Sequence, residues 1–575
     1  MSKKLLFVLL AALVSSFVFS SVSLAVDGED DERMEMKARM LTQNLATQYE
    51  KPPEVIIEEI ITSKRPKALL PEGKTSIKAI NVIGATVIKD EKIQELVAPF
   101  RNRDLTGEEM QQCADAITAA YEKESYIASY AYIIPEKLSE GVLQIMVQEV
   151  TIGDIEIKGN RYFSNKVIEK KLGIKKGEVF NKQKLQLDIF RLNRHPDRKV
   201  HFLIKQGKEP GTVDVALLVK DKWPFHTIFE VDNYGSEYIL RNRYKTLLTS
   251  NNLTGHDDSL TFKYQRTDAE AHELFDFDYY IPLNNKWKLQ LYYMPKKVED
   301  YYYSDNEDLD FEKHARKWYF NFYQTLIEEP GCDLVSAYGF VYKDILWKQR
   351  GQYRAWDRFR GLMWGIDYIK RDKYGTTVVM NDLEIGIPGM LDGNDYEDEA
   401  CSVTGAGGGY KKNHLTVARR QNLFAGIEML NKFHWQLSSH AQPGVNVFSV
   451  GGFMGVIDMR GYPRAQAPGD RGYSYTGGFS FPAYLVPRSV PVPFSKAKLY
   501  DSLKFFTFFD WATAVLKSPG VDGDKSTTLA SAGWGFTFSL PENFSARFDM
   551  GWPLRDTQGK DGDHVHMWFR VTKGY

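Results

Sequence analysis

Gly451-Gly452-Phe453-Met454-Gly455-Val456-Ile457-Asp458-Met459-Arg460-Gly461-Tyr462, followed by Gly469-Asp470-Arg471-Gly472-Tyr473, is the heart of a Gly-rich stretch that runs on to Gly478. It is too long for a hairpin turn. It is also too apolar at its start (Val445, Val447, Phe448, Val450, Phe453, Val456, Ile457) for a solvated tip, so it reads as a structured loop folded back onto something. An arginine among such residues needs an acidic partner. If the chain is a closed β-barrel, the enclosed polar place for that partner is the lumen.

Working outward, Phe225 to Tyr575 carries two-residue alternation over segments of about ten residues. Leu260, Phe262 and Tyr264 share one face while Thr261, Lys263 and Gln265 share the other. Phe275, Phe277, Tyr279 and Ile281 oppose Asp276 and Asp278; Val565, Met567, Phe569 and Val571 oppose His566, Arg570 and Thr572. Aromatics on one face and charges on the other suit lipid outside and water inside. About sixteen such segments are centred near Phe229, Leu248, Phe262, Phe277, Leu291, Phe320, Phe340, Met363, Val379, Val417, Leu437, Phe479, Phe508, Phe536, Phe548 and Met567. That leaves about 22 residues for each strand with its turn, enough to cross a bilayer. A large soluble sandwich or propeller also alternates, and what precedes the region weighs against it.

Residues 1–25 read as a secretory signal: Lys3 and Lys4, an apolar core from Leu5 to Phe19, and Ser23-Leu24-Ala25 as a cleavage site before Val26. An uncleaved anchor is disfavoured by the acidic run Asp27 to Glu32. From Asp30 to Glu50 the spacing predicts a helix, with Met34, Ala38, Leu41 and Leu45 on one stripe before Pro52-Pro53 ends it; a linker continues to residue 73.

The front half then repeats itself. At an offset of 75 residues Ile77, Ile80, Val82 and Gly84 match Ile152, Ile155, Ile157 and Gly159, and Met110 matches Leu185. Thr106 and Asn181 are matching helix N-caps. Each unit, 74–149 and 150–222, reads as strand, short helix, longer helix and two alternating strands, with a sheet edge suited to adding an extended partner strand. The barrel follows over 223–575, with the inward loop expected at 445–476.

Composition sets limits on function. With 43% hydrophobic residues, 13% of all residues aromatic and no late apolar run of membrane-helix length, a membrane form of this chain is a barrel. A formal net charge of −1 gives no field for nucleic acid. The three cysteines, Cys113, Cys332 and Cys401, make no disulfide framework, and the last two pair only if their loops meet. No nucleophile elbow, phosphate loop or metal-ligand spacing is present, so the sequence points to no enzyme, cofactor or metal.

Arg460-Gly461-Tyr462, with the later Gly469-Asp470-Arg471-Gly472, resembles the signature of the inward loop in outer-membrane transporters built from POTRA domains and a barrel. Within them the chain resembles the two-partner secretion (TpsB, haemolysin secretion/activation) family. The tandem β-α-α-β-β units resemble that family's two POTRA domains. Asp232-Asn233-Tyr234-Gly235 resembles its first-strand motif. Phe508-Phe509-Asp510-Trp511-Ala512 resembles its Phe-x-Asp-x-Gly strand, with Ala512 where glycine is usual.

The resemblance implies a lumen pair between Arg460 and Asp510 and an N-terminal helix that plugs the pore. It further implies residence in the Gram-negative outer membrane, with the POTRA units in the periplasm. The expected partners are outer-membrane lipids, periplasmic chaperones and a secreted, β-helical exoprotein that crosses unfolded. An assembly factor for other barrels and a passive porin are the alternative functions.

Overall fold

The computed structural model describes residues 41, 45, 56–57, 68–235, 240–268, 272–298, 311–349, 351–443, 446–453, 457–516, 525–555 and 565–575. The expected signal segment with its Ala25-Val26 cleavage site, and Met34 and Ala38 of the expected helix, lie outside them. Two compact units divide the chain: 50–224, and 225–575 together with 1–49.

In the unit 50–224 two small α+β modules follow each other. The first has a sheet of Ala79–Ile83, Val142–Gln148 and Tyr130–Ile134, in that order, under the helices Asp90–Val97 and Gly107–Lys123. Its core holds Ile80, Val97, Met110, Ile117, Leu143 and Ile145, and Cys113 is buried among them. Burial pushes the Cys113 thiol up to about 12, so it is an inert apolar filler.

The second module repeats the plan with Thr151–Lys158, Thr212–Asp221 and Arg198–Gln206 around the helix Lys182–Asn193. Thr106 and Asn181 both cap their helices, accepting the N–H of Glu109 (3.2 Å) and Lys184 (3.0 Å). Gly84 and Gly159 sit at φ +89° and +88°. A Cβ on either would lie 2.5 Å from the carbonyl oxygen of Val147 or Val219, which is why both repeats carry glycine there.

The linker residues Ile56–Ile57 pair in parallel with Leu203 and Ile204, so one edge of the second sheet is occupied, while Thr151–Lys158 ends the sheet on the other side.

The other unit is a closed antiparallel barrel of sixteen strands, from Phe225–Asp232 to His566–Gly574, and these two pair to close it. Each of the sixteen expected centres falls on its own strand. Alternation dictates which face is which. Lys263, Lys313, Lys317 and Asn321 are buried, whereas Phe229, Trp318, Phe320 and Phe322 are 38–49% exposed. Such an inside-out distribution is stable only with hydrocarbon around the cylinder.

Strand lengths are unequal. Phe311–Glu329, Cys332–Gln349 and Gln352–Asp372 greatly exceed the ~10 residues a crossing needs, so the wall stands tall on that side. Cys332 starts its strand opposite Lys370, while Ser402, next to Cys401, bonds Asp357 at the other end of the same wall. Thirteen strand residues separate those levels, roughly 40 Å, so the two cysteines do not pair.

Candidate functional site: an arginine loop and a helix contact in the barrel lumen

Between strands Glu428–Ser438 and Arg471–Pro482, the described residues of 439–470 turn inward rather than forming a tip. The expected loop end at 476 is corrected to Asp470, because Arg471 already pairs with Val515 in the barrel ladder. Two short ladders stiffen the loop: Phe448–Val450 with Ala467–Gly469, and Gly452–Phe453 with Asp458–Met459. Its apolar residues Phe448, Val450, Ile457, Met459 and Tyr462 pack on Ala512, Ala514 and Leu529 of the wall. Ala512, where glycine is usual, is covered by this packing.

Just past the inner ladder stands Arg460, 3% exposed. Its guanidinium forks onto Asp510, Nε to Oδ2 at 2.8 Å and Nη2 to Oδ1 at 2.7 Å, and its backbone N–H donates to the same carboxylate at 3.2 Å. Nη1 reaches a second acid, Asp549 Oδ1, at 3.1 Å. The Phe508 ring centre lies 3.5 Å from the guanidinium carbon, a cation–π seat. Asp549 is also held by Arg547 through two 2.7 Å bonds. Two arginines and two carboxylates therefore balance, with Arg460 and both acids buried and Arg547 half-buried, and such pairing is the condition under which buried charge is tolerable.

The loop tip approaches the wall closely. A Cβ on Gly461 would lie 2.6 Å from Ser531 Cβ, and one on Gly551 2.5 Å from the Arg460 carbonyl oxygen. The Tyr462 hydroxyl shares its one proton between the carbonyls of Arg555 (2.6 Å) and Ala530 (3.0 Å), and Trp568 Nε1 donates to the Arg460 carbonyl at 2.7 Å.

The first-strand motif meets the same loop from the barrel seam. Asp232 pairs with Arg243 (2.7 Å) and Lys245 (2.9 Å). The Asn233 side chain bonds the last strand twice, to the Met567 carbonyl (2.9 Å) and from the Phe569 N–H (2.7 Å), and its backbone N–H donates to the Phe569 carbonyl (3.3 Å). The Tyr234 ring lies against Phe453, centroids 4.6 Å apart and tilted by 39°, and its carbonyl accepts Arg464 Nη1 at 2.7 Å. The Gly235 N–H donates to the Arg241 carbonyl at 2.8 Å.

At the loop's base Asp470 Oδ1 accepts the Gln442 N–H (2.7 Å), and Gly472 has the Phe448 ring in the space its Cβ would fill. Lys343 and Lys412 both donate to Asn446 Oδ1, at 2.7 and 3.1 Å.

One wall row links this anchor to the N-terminal segment. Cross-strand partners share a face, and Ile369, Val378, Ala418, Lys432, Thr476 and Asp510 are successive partners. Lys432 Nζ holds Asp458 of the loop at 2.5 Å. Leu41 and Leu45, both helical, are buried against Ile369, Val378, Met380 and Ala418. The resemblance implied the pair of Arg460 with Asp510, but sequence reasoning missed Asp549, Arg547, Trp568 and Lys432. Asp549-Met550-Gly551 repeats the Asp-x-small spacing of Asp510-Trp511-Ala512, and that was the available signal.

Residues 75–149 match the family model for the ShlB-type POTRA domain, and 150–220 match that of the surface antigen variable number repeat, a POTRA model. The chain is similar to the heme/hemopexin transporter protein HuxB of Haemophilus influenzae, at 21% identity over 519 residues, 87% of either chain. It is also similar to the outer membrane transporter CdiB of Escherichia coli, at 27% over 184 residues, 32% of this chain and 31% of that one. With HuxB of H. influenzae strain 86-028NP the match is 22% identical and spans 32% of this chain and 33% of the relative, so here as with CdiB the chain covers about a third of the relative's length. Among solved structures CdiB from E. coli superposes with TM-score 0.75 at 18% identity, over 96% of this chain and all of that one. BamA from Haemophilus ducreyi, lacking its POTRA domains 1–3, gives 0.50 at 14%, over 87% of this chain and all of that one.

Proposed function

We propose that this chain, which belongs to the two-partner secretion transporter family of POTRA-plus-barrel outer-membrane proteins, exports a large, unfolded, β-rich exoprotein through its own pore. Relatives named as transporters support the direction of this reading. The observation that carries it is Leu41 and Leu45 packed on lumen-facing wall residues. A passive porin has no use for a helix in its duct, whereas a secretion pore must stay shut between clients.

In this reading the POTRA modules take up the client's extended N-terminal region by strand addition. A client pairing with the outer edge of the second sheet displaces Ile56–Ile57 first, since that edge is occupied. The plug leaves, the chain passes, and the Arg460 loop keeps its seat against Asp510 and Asp549. Folding outside makes return unfavourable and supplies the direction without nucleotide.

The test is depletion of the protein in its own cell. Loss of one exoprotein from the surface and medium, with other barrels unchanged, is the expected result. Loss of many outer-membrane proteins would instead make the chain an assembly factor.

A further inference from the structure

The lumen face of this barrel is mostly charged or polar, as a water-filled duct requires. Apolar residues depart from that in places, Leu274, Met294 and Val341 on one part of the wall and Ile369, Val378, Met380 and Ala418 on another, the second group forming a patch between the charged Arg371 and Lys432. An apolar patch facing a duct marks a place where something apolar binds, and Leu41 and Leu45 cover this one. Their spacing says what else fits. Two leucines four residues apart on a helix are separated by ~6 Å along its axis. Alternate side chains of an extended strand are ~6.7 Å apart. A patch shaped for the first therefore accepts the second.

Resting on the secretion reading above, we propose that this patch is also a binding site for the translocating client, taking successive apolar side chains from one face of an extended, alternating polypeptide. Plug and client then compete for one seat, so the plug is released by exchange and the patch is never left bare. Lys432, next in the same row, stays paired with Asp458, two residues before Arg460, so the exchange takes place beside a loop that is not disturbed.

The experiment uses the full chain lacking residues 30–50 in planar bilayers, with two peptides of equal length, one alternating Val with Lys and one alternating Gly with Lys. The Val peptide is expected to block current for dwell times on the order of tenfold longer than the Gly peptide. Val378→Thr with Met380→Gln, which keeps side-chain volume, should bring the two within about twofold of each other. Heat-modifiable migration checks folding; if the double variant fails to insert, Ile369→Thr carries the same comparison.

Equal dwell times in the unsubstituted seat, or discrimination that survives the substitutions, overturn the proposal. Equal dwell times alongside loss of one exoprotein on depletion remove the seat and leave secretion standing. Discrimination abolished by the substitutions, with no exoprotein dependent on the chain, upholds an apolar seat and removes the client.

Discussion

At the scale of single residues the structure turns on a charge that has two acids. Asp510 gives Arg460 the fork and Asp549 gives it a third contact shared with Arg547. Removing one partner of a buried pair costs about 3–5 kcal/mol because the other charge stays dry and unpaired. Asp510→Asn should therefore unseat the loop strongly. Asp549→Asn should cost less, about 1–2 kcal/mol, because the fork remains. The double variant should lose more than the sum of the two. Maleimide labelling of a cysteine placed at Gln466 reads the loop's exposure, and strict additivity would show that the acids act independently.

Arg460→Lys should secrete as poorly as Arg460→Ala while the barrel still inserts, since an ammonium cannot make the planar fork. Normal secretion by the lysine variant would contradict this. The Arg460–Asp510 pair was expected from the family resemblance, and the shared face of Phe508, Asp510 and Ala512 only permits it. Asp549 was not, because alternation assigns a face but does not set the register between strands that are far apart in the chain.

At the scale of elements, the two POTRA modules share a device that the repeat pattern concealed. Glu149 accepts the N–H groups of Thr86 (2.6 Å) and Val87 (3.0 Å), the Tyr121 hydroxyl (2.6 Å) and the Thr86 hydroxyl. Asp221 accepts those of Arg161, Tyr162 and Phe163 at 2.7–3.1 Å. Each carboxylate ties the turn after the positive-φ glycine to the end of the last strand. The acids differ in type and fall out of the 75-residue offset, so a fixed-offset comparison passes over them, whereas the glycines and helix caps keep it and were legible.

For Glu149 burial raises the pKa, and the hydrogen bonds from Thr86, Tyr121 and Val87 outweigh it, leaving the carboxyl below its ordinary value of 4.5. A depressed acid stabilises the fold at all pH above the unfolded value and loses that stabilisation as pH falls through the folded one. The first module should thus loosen below about pH 4.5. Glu149→Gln should weaken it at neutral pH and flatten the acid dependence. Urea midpoints from pulse proteolysis of the intact protein check both, and an unchanged acid slope in the variant would contradict the assignment. Gly159→Ala should destabilise the second module by about 1–3 kcal/mol in the same assay, since its Cβ meets a carbonyl from a strained φ.

At the scale of the whole molecule, the barrel was the most legible part. Lipid outside and water inside impose a period of two on every strand, and sixteen separate stretches each carry it. The course of the lumen loop was legible only as far as its need for an enclosed partner. Its end was misplaced by six residues because Arg471 to Thr476 alternate no differently whether in a loop ladder or in the wall. The covering of the second sheet's edge by Ile56–Ile57 was illegible, since two isoleucines carry no period at all.

The proposed function gathers these parts into a secretion pore that its own N-terminal helix closes at rest and that an anchored loop lines. The most direct test is the single-channel conductance of the purified protein before and after deletion of residues 30–50. The account predicts a mostly closed channel that becomes persistently open on deletion. A steady open conductance in the intact chain, unaltered by the deletion, would contradict it.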